Sequence, residues 1–137
     1  MTAAIKRGLQ KGVSVTLVLA RIVVPVYIIV TFLKYTPAMG FIARLFEPVM
    51  RLVGLPGEAS IAIVLGYFTN LYAALGAIAS LNLSSKETTI IALMLLISHA
   101  MPMETAVSQK TGVNGLVMLA IRTLLSVLAG VALNFVL

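Results

Sequence analysis

The residues best able to do chemistry in this sequence lie together in Ser98-His99-Ala100-Met101-Pro102-Met103-Glu104-Thr105. A proline inside a helix removes one backbone donor, and its ring clashes with the carbonyl four residues back, here that of Ser98. Met101, just before it, is steered away from helical geometry. The spacing therefore predicts a helix that breaks near Met101. Carbonyls around residues 97 to 100 would end the upstream half, and Pro102 would open the downstream half, where its missing donor costs nothing. Free amides of Met103, Glu104 and Thr105 would face the gap. A carbonyl-rich end opposed to an amide-rich end, with His99 and Glu104 beside them, is how secondary transporters bind substrates and coupling ions. Such irregular backbone is tolerated at membrane depth only where it is buried in protein or lines a cavity. The plainer alternative is a kink at Pro102 with Glu104 to Lys110 already in water, and a single membrane histidine also serves as a hydrogen-bond partner between helices.

A glutamate at membrane depth is costly unless paired, and Arg122 is the cation placed to pair it. Arg21 is read as snorkelling to the headgroups. Glu58, opening a helix, is favoured there by the helix dipole and acts either as a cap or as part of a site. Tyr67 and Asn70, one turn apart, stand beside a seam of small residues. The candidate solute-binding set is thus Glu58, Tyr67, Asn70, Ser98, His99, Glu104 and Thr105. Nothing points to catalysis. With no cysteine, one histidine, no aspartate and no GxSxG, the sequence supports neither a nucleophile–base pair nor a thiolate–zinc site, so no enzyme, metal or cofactor is expected.

The elements that must position these residues belong in a membrane. Hydrophobic residues make up 61% of the 137 and charged residues 10%, against roughly 25% charged in a soluble domain. A soluble chain this short could not hide so much apolar surface. The net charge of +6 is spread between apolar blocks, as headgroup anchors are, without the basic, aromatic-interleaved track that nucleic acid requires. Residues 1–12 are cationic, and the apolar run after them reaches Leu33. That is longer than a signal h-region and has no small-residue cleavage site, so it reads as a retained anchor.

The expected fold is an all-α membrane protein of about four transmembrane segments, one of them discontinuous at Pro102, within a single domain over 1–137. The first segment is Val13 to Leu33. Residues 38–55 form an amphipathic helix, with Phe41, Leu45, Val49 and Leu52 opposite Arg44, Glu47 and Arg51, lying in the interface or forming one arm of a re-entrant hairpin. From Glu58 to about Leu81 one helix is expected. Its small residues Ala59, Ala62, Gly66, Thr69, Ala73, Gly76 and Ser80 recur in steps of three and four, the face by which membrane helices approach closely. The broken third segment follows a cap at Ser84 or Ser85, and Val113 to Val136 is the last.

Three stretches together, Gly54-Leu55-Pro56-Gly57-Glu58, Gly66-Tyr67-Phe68-Thr69-Asn70-Leu71-Tyr72, and Ser98-His99 through Pro102-Met103-Glu104-Thr105-Ala106, resemble the nucleoside recognition, or Gate, domain family over roughly residues 13 to 135. This family of small prokaryotic membrane proteins is similar to spore maturation proteins A and B, to the membrane domain of ferrous-iron transporters and, more distantly, to concentrative nucleoside transporters. The resemblance implies a prokaryotic cytoplasmic (inner) membrane and a transport-related role. Larger relatives carry two such units in inverted orientation, and this chain looks like one. The cysteine motif of the iron transporters has no counterpart here.

The expected function is a transporter half-unit that binds a small solute within the lipid bilayer; the alternative is a non-transporting scaffold or regulatory protein. Pairing is expected with a second copy, antiparallel by preference, or with a homologous chain. Four crossings would put Lys6, Arg7, Lys11 and Lys86 on one side and Lys34, Arg44, Arg51 and Lys110 on the other, four against four, which gives no positive-inside bias.

Overall fold

The computed structural model describes residues 2–137, all of whose regular structure is helical: α1 (Thr2–Lys34), α2 (Pro37–Leu52), a 3-10 turn (Gly57–Ala59), α3 (Ser60–Phe68), α4 (Leu71–Ser80), α5 (Ser85–Ile97), α6 (Met101–Lys110) and α7 (Gly115–Val136). Three stretches are long and apolar enough to cross a membrane, namely Ala4–Lys34, Ser85–Lys110 and Gly115–Val136. Counting α2 with the turn and α3 as one bent span would make four. The chain is therefore an all-α membrane protein. Pro25 lies inside α1 without interrupting it.

α2 meets the following turn and α3 at 95°. Its residues divide into three faces. Met39 and Met50 are buried, with Phe46 packed on the core beside them. Arg44, Glu47 and Arg51 line a second side, with Arg51 Nη2 2.7 Å from Glu47 Oε1. The stripe Phe41, Leu45, Val49 and Leu52 points outward and is exposed. A helix with one apolar side on protein, another open and a charged third side suits the plane of the interface, where lipid, protein and water each take one. Pro48 sits within α2 without ending it.

The expected single helix from Glu58 to Leu81 is divided. α3 stops at Phe68 and α4 restarts at Leu71. A Cβ on Gly66 would stand 3.1 Å from that of Ala74, whereas residues eight apart on one straight helix are separated by roughly 12 Å. The two short helices thus lie side by side, a hairpin turning at Thr69–Asn70. Ala62 of α3 and Ala77 of α4 share one cluster with Val30 of α1 and Met39 of α2. The small residues are what allow this approach. The same pattern that suggests one long face serves two half-length faces folded onto each other.

Contacts at the ends set the direction of each element. Lys34 Nζ, closing α1, donates to the Ser80 carbonyl that closes α4, at 2.9 Å. The hairpin therefore enters and leaves on the Lys34 side, and its tip points into the membrane. Lys86 Nζ, opening α5, donates to the Asn134 carbonyl near the end of α7, also at 2.9 Å. α5 with α6 then crosses away from that side and α7 returns. Ser84 and Glu87 form a capping box at the start of α5.

Gly76 shows how tight the α1–α4 seam is, since a Cβ there would lie 2.7 Å from the Val23 carbonyl oxygen, which cannot yield without moving α1. Gly40 has nothing within 4 Å. Gly76→Ala is expected to destabilise the detergent-solubilised protein by about 1–3 kcal/mol, and Gly40→Ala to leave it unchanged or stabilise it by about 0.5–1 kcal/mol. Thermal melts of the two variants side by side check both; equal melting of Gly76→Ala and the parent would refute the close α1–α4 approach.

Candidate functional site

The second interruption lies between α5 and α6, at Ser98–Ala100. It comes earlier than the expected break near Met101, which is already the first residue of α6. The ring of Pro102 excludes Ser98, four residues back, so the helix ends one residue before it at Ile97. The redirection falls on Ala100, which takes φ +44°, left-handed, a conformation costing a non-glycine residue about 1–2 kcal/mol. Nor does Glu104 leave its amide free, for its N–H donates to the Ala100 carbonyl at 3.1 Å.

The two interruptions meet. At the tip of the first, the amides of Thr69 and Asn70 both donate to the Leu65 carbonyl, so the Gly66 carbonyl is released from its own helix. The Ala100 N–H donates to it at 2.9 Å. One backbone hydrogen bond thus joins a half-helix end in α3 to the linker after α5. The carbonyls of Thr69, Ser98 and His99 accept no backbone hydrogen bond among the described residues.

Charged groups gather on the α6–α7 side of this junction. Arg122 of α7 donates from Nε and Nη2 to the Ile97 carbonyl, 3.1 Å each, taking up the last carbonyl of α5. Its third nitrogen, Nη1, is paired with Glu104 Oε2. Arg122 is therefore the partner of Glu104 that the sequence suggested. His99 Nε2 stands 3.4 Å from Glu104 Oε1, while its Nδ1 is buried without a partner. The Ser98 hydroxyl, in a side chain with no exposed surface, also lacks a partner. The side chains of Glu104 and Arg122 remain 32% and 22% exposed, and both line an open groove of about 520 Å³ with Met103, Val107, Ser108 and Met118. The Ser85–Lys110 span is 26 residues, or ~39 Å, which puts the break near its middle and Glu104 inside the apolar layer.

The remaining candidates hold structural positions. Asn70 caps α4, its Oδ1 accepting from the Ala73 amide at 2.9 Å. Tyr67 is buried, its hydroxyl 2.5 Å from Ser126 Oγ. Because Ser126 donates to the Met94 carbonyl at 2.9 Å, the phenol is the donor in that pair. The Met94 carbonyl also takes the Ser98 N–H at 3.0 Å, so this chain of hydrogen bonds ties α3 and α7 to the end of α5. Thr105 turns its methyl toward Gly115 on α7. Glu58 stands apart, in a separate cavity of about 360 Å³ with Arg44, Glu47, Arg51 and the Leu55–Gly57 loop. Ser126 and Gly66 are the contributors that the sequence did not single out for the site. A serine four residues after Arg122, on one face of an apolar helix, was the signal for the first; for Gly66, whose role is its backbone carbonyl, there was none.

Ser126→Ala removes the acceptor of a buried phenol and the donor to Met94. A loss of about 1–3 kcal/mol is expected. Tyr67→Phe in the same chain should recover part of it, since no buried hydroxyl is then orphaned. Melting temperatures of the two single variants and the double variant test this, and strictly additive losses would count against the coupling.

The family model described as Gate, nucleoside recognition, matches residues 16–115. A relative in Bacillus subtilis (strain 168), the uncharacterized membrane protein YvoD, is 41% identical over 129 residues, 94% of this chain and 41% of the relative. The chain thus spans about two-fifths of the length of that relative. No solved structure matches.

Proposed function

The chain belongs to the nucleoside recognition, or Gate, family of membrane proteins, and on that footing we propose that it is a transporter half-unit, binding a small, nucleoside-like solute at its paired helix interruptions. The carrying observation is the Ala100–Gly66 hydrogen bond, which brings two broken helices together beside the Glu104–Arg122 pair and His99. A scaffold has no need of this. Continuous helices satisfy their own backbone at lower cost, and ionisable groups at membrane depth are expensive to keep. Free carbonyls and a carboxylate would accept from the hydroxyl and amino groups of a nucleoside, and the α6–α7 groove offers apolar wall for a ring.

Purified protein should therefore be stabilised against heat by at least one member of a panel of nucleosides, bases and small ions, in proportion to RT ln(1 + [L]/Kd). Glu104→Gln and His99→Asn should abolish that gain while still folding. A panel without effect on the parent protein would return the reading to a scaffold.

The working unit in this proposal is a pair of such chains in a prokaryotic cytoplasmic membrane, antiparallel and twofold. The direction of the elements moves Lys86 to the Lys34 side and Lys110 to the opposite side, exchanging the two assignments made from sequence. The balance survives: Lys6, Arg7, Lys11 and Lys110 face Lys34, Arg44, Arg51 and Lys86, four against four. A chain with no positive-inside bias inserts both ways, and opposed copies recreate an inverted repeat. A C-terminal reporter is expected to give signal from both sides of the membrane; signal from one side alone excludes the antiparallel pair.

A further inference from the structure

We infer that Arg122 is a tethered cation, filling from within the chain the position that a coupling cation would occupy at a broken membrane helix. The oxygen acceptors around its guanidinium are those of a cation site. The Ile97 carbonyl is the last of α5 and carries the negative end of that helix's dipole; it receives both Nε and Nη2 at 3.1 Å. The Glu104 carboxylate receives Nη1. Next in the chain after Ile97 come the Ser98 and His99 carbonyls, without backbone partners among the described residues, and the buried, unpartnered Ser98 hydroxyl. Half-helix C-terminal ends and unwound carbonyls are the groups with which secondary transporters hold a coupling cation. Here a planar guanidinium, with its fixed fork of N–H donors, sits among them.

Two consequences follow. The site is electrically complete without an external ion, because one arginine balances one glutamate. Deleting the guanidinium leaves a negatively charged, carbonyl-lined space of matching shape. The assignment of the site stands whatever the solute; its meaning for coupling, that solute binding needs no sodium or potassium, rests on the transport reading above.

The test is chemical rescue of Arg122→Ala in the full chain, read as melting temperature against low-millimolar guanidinium chloride, too dilute to denature. The variant should melt below the parent. Guanidinium should raise it saturably, by about 4 °C or more, while choline chloride does nothing. The parent and the Glu104→Gln, Arg122→Ala double variant should not respond, since in one the place is taken and in the other its carboxylate is gone. Arg122→Gln serves in the same way where the alanine variant cannot be purified. Arg122→Lys, with a charge in place but no fork, should respond less than either. A variant unresponsive to guanidinium, or a parent that responds equally, overturns the inference. Replacing sodium by choline should leave the melting of the parent unchanged, and a sodium-dependent parent would overturn it too. The solute panel on the parent reads the transport proposal separately, so either can fail without the other.

Discussion

Everything in this structure answers to one requirement: a backbone polar group inside hydrocarbon needs a partner supplied by the protein itself. The chain breaks two helices, and one junction partners a freed carbonyl from each, while those of Thr69, Ser98 and His99 accept no backbone hydrogen bond among the described residues. The Gly66 carbonyl, freed by the turn at Thr69–Asn70, takes the Ala100 amide. The Ile97 carbonyl, left open where α5 ends, takes Arg122. Ala100 can hold its left-handed conformation because that hydrogen bond and the fully buried residues around it leave little alternative. The position of α7 follows from the same junction. Arg122 and Ser126, one turn apart, grip Ile97 and Met94, which are likewise one turn apart on α5.

Close approach makes those hydrogen bonds geometrically possible, and glycine supplies it. A Cβ at Gly66 would collide with the Leu95 side chain, one at Gly130 would lie 2.9 Å from the Met94 sulfur, and one at Gly57 would meet the Ala43 backbone. Each joins a different pair of elements: α3 to α5, α7 to α5, and the turn to α2. Lipid gives helices no hydrophobic reason to associate, so shape complementarity and hydrogen bonds must hold the bundle. Gly8 and Gly12, by contrast, lie on the open N-terminal half of α1 with nothing nearby, and α1 touches the rest of the protein through its C-terminal half along α4.

Much of this was legible in the sequence because it rests on local rules. Composition placed the chain in lipid, the alternation of apolar and charged residues marked α2, a cap at Ser84 or Ser85 marked the start of α5, and Pro102 announced a break to within a few residues. Arg122 could be named as the partner of Glu104 from charge alone. The α3–α4 hairpin was not legible. No proline or glycine marks its turn, only Asn70 as a cap, and small residues in steps of three and four fit one long helical face as well as two short ones pressed together. The outward stripe on α2 was similarly ambiguous: in water such a stripe must face the core, whereas beside lipid either apolar face will do. The Arg122–Ile97 contact joins a side chain to a carbonyl 25 residues away, which no local rule reaches.

The least settled part of a single chain is the outer side of the Glu104–Arg122 pair. Two opposite charges in contact attract strongly in a poorly polarisable medium, but the gain is offset by the cost of stripping water from both. In a site closed by protein dipoles that cost is met by fixed donors and acceptors. Here Ile97 and His99 meet part of it, and the groove beside Met103 and Met118 leaves the remainder open. Hydrocarbon cannot solvate the exposed edge. Water admitted through the groove could, and so could the polar face of another helix layer. Bringing in water ends the groove at the membrane surface near Lys110; bringing in a second unit buries it. The proposed pair of opposed chains favours the second solution, and a relative more than twice the length of this chain has room for such a unit within one polypeptide. On that reading the partly exposed ion pair is a seam, stable once both halves of the site are present.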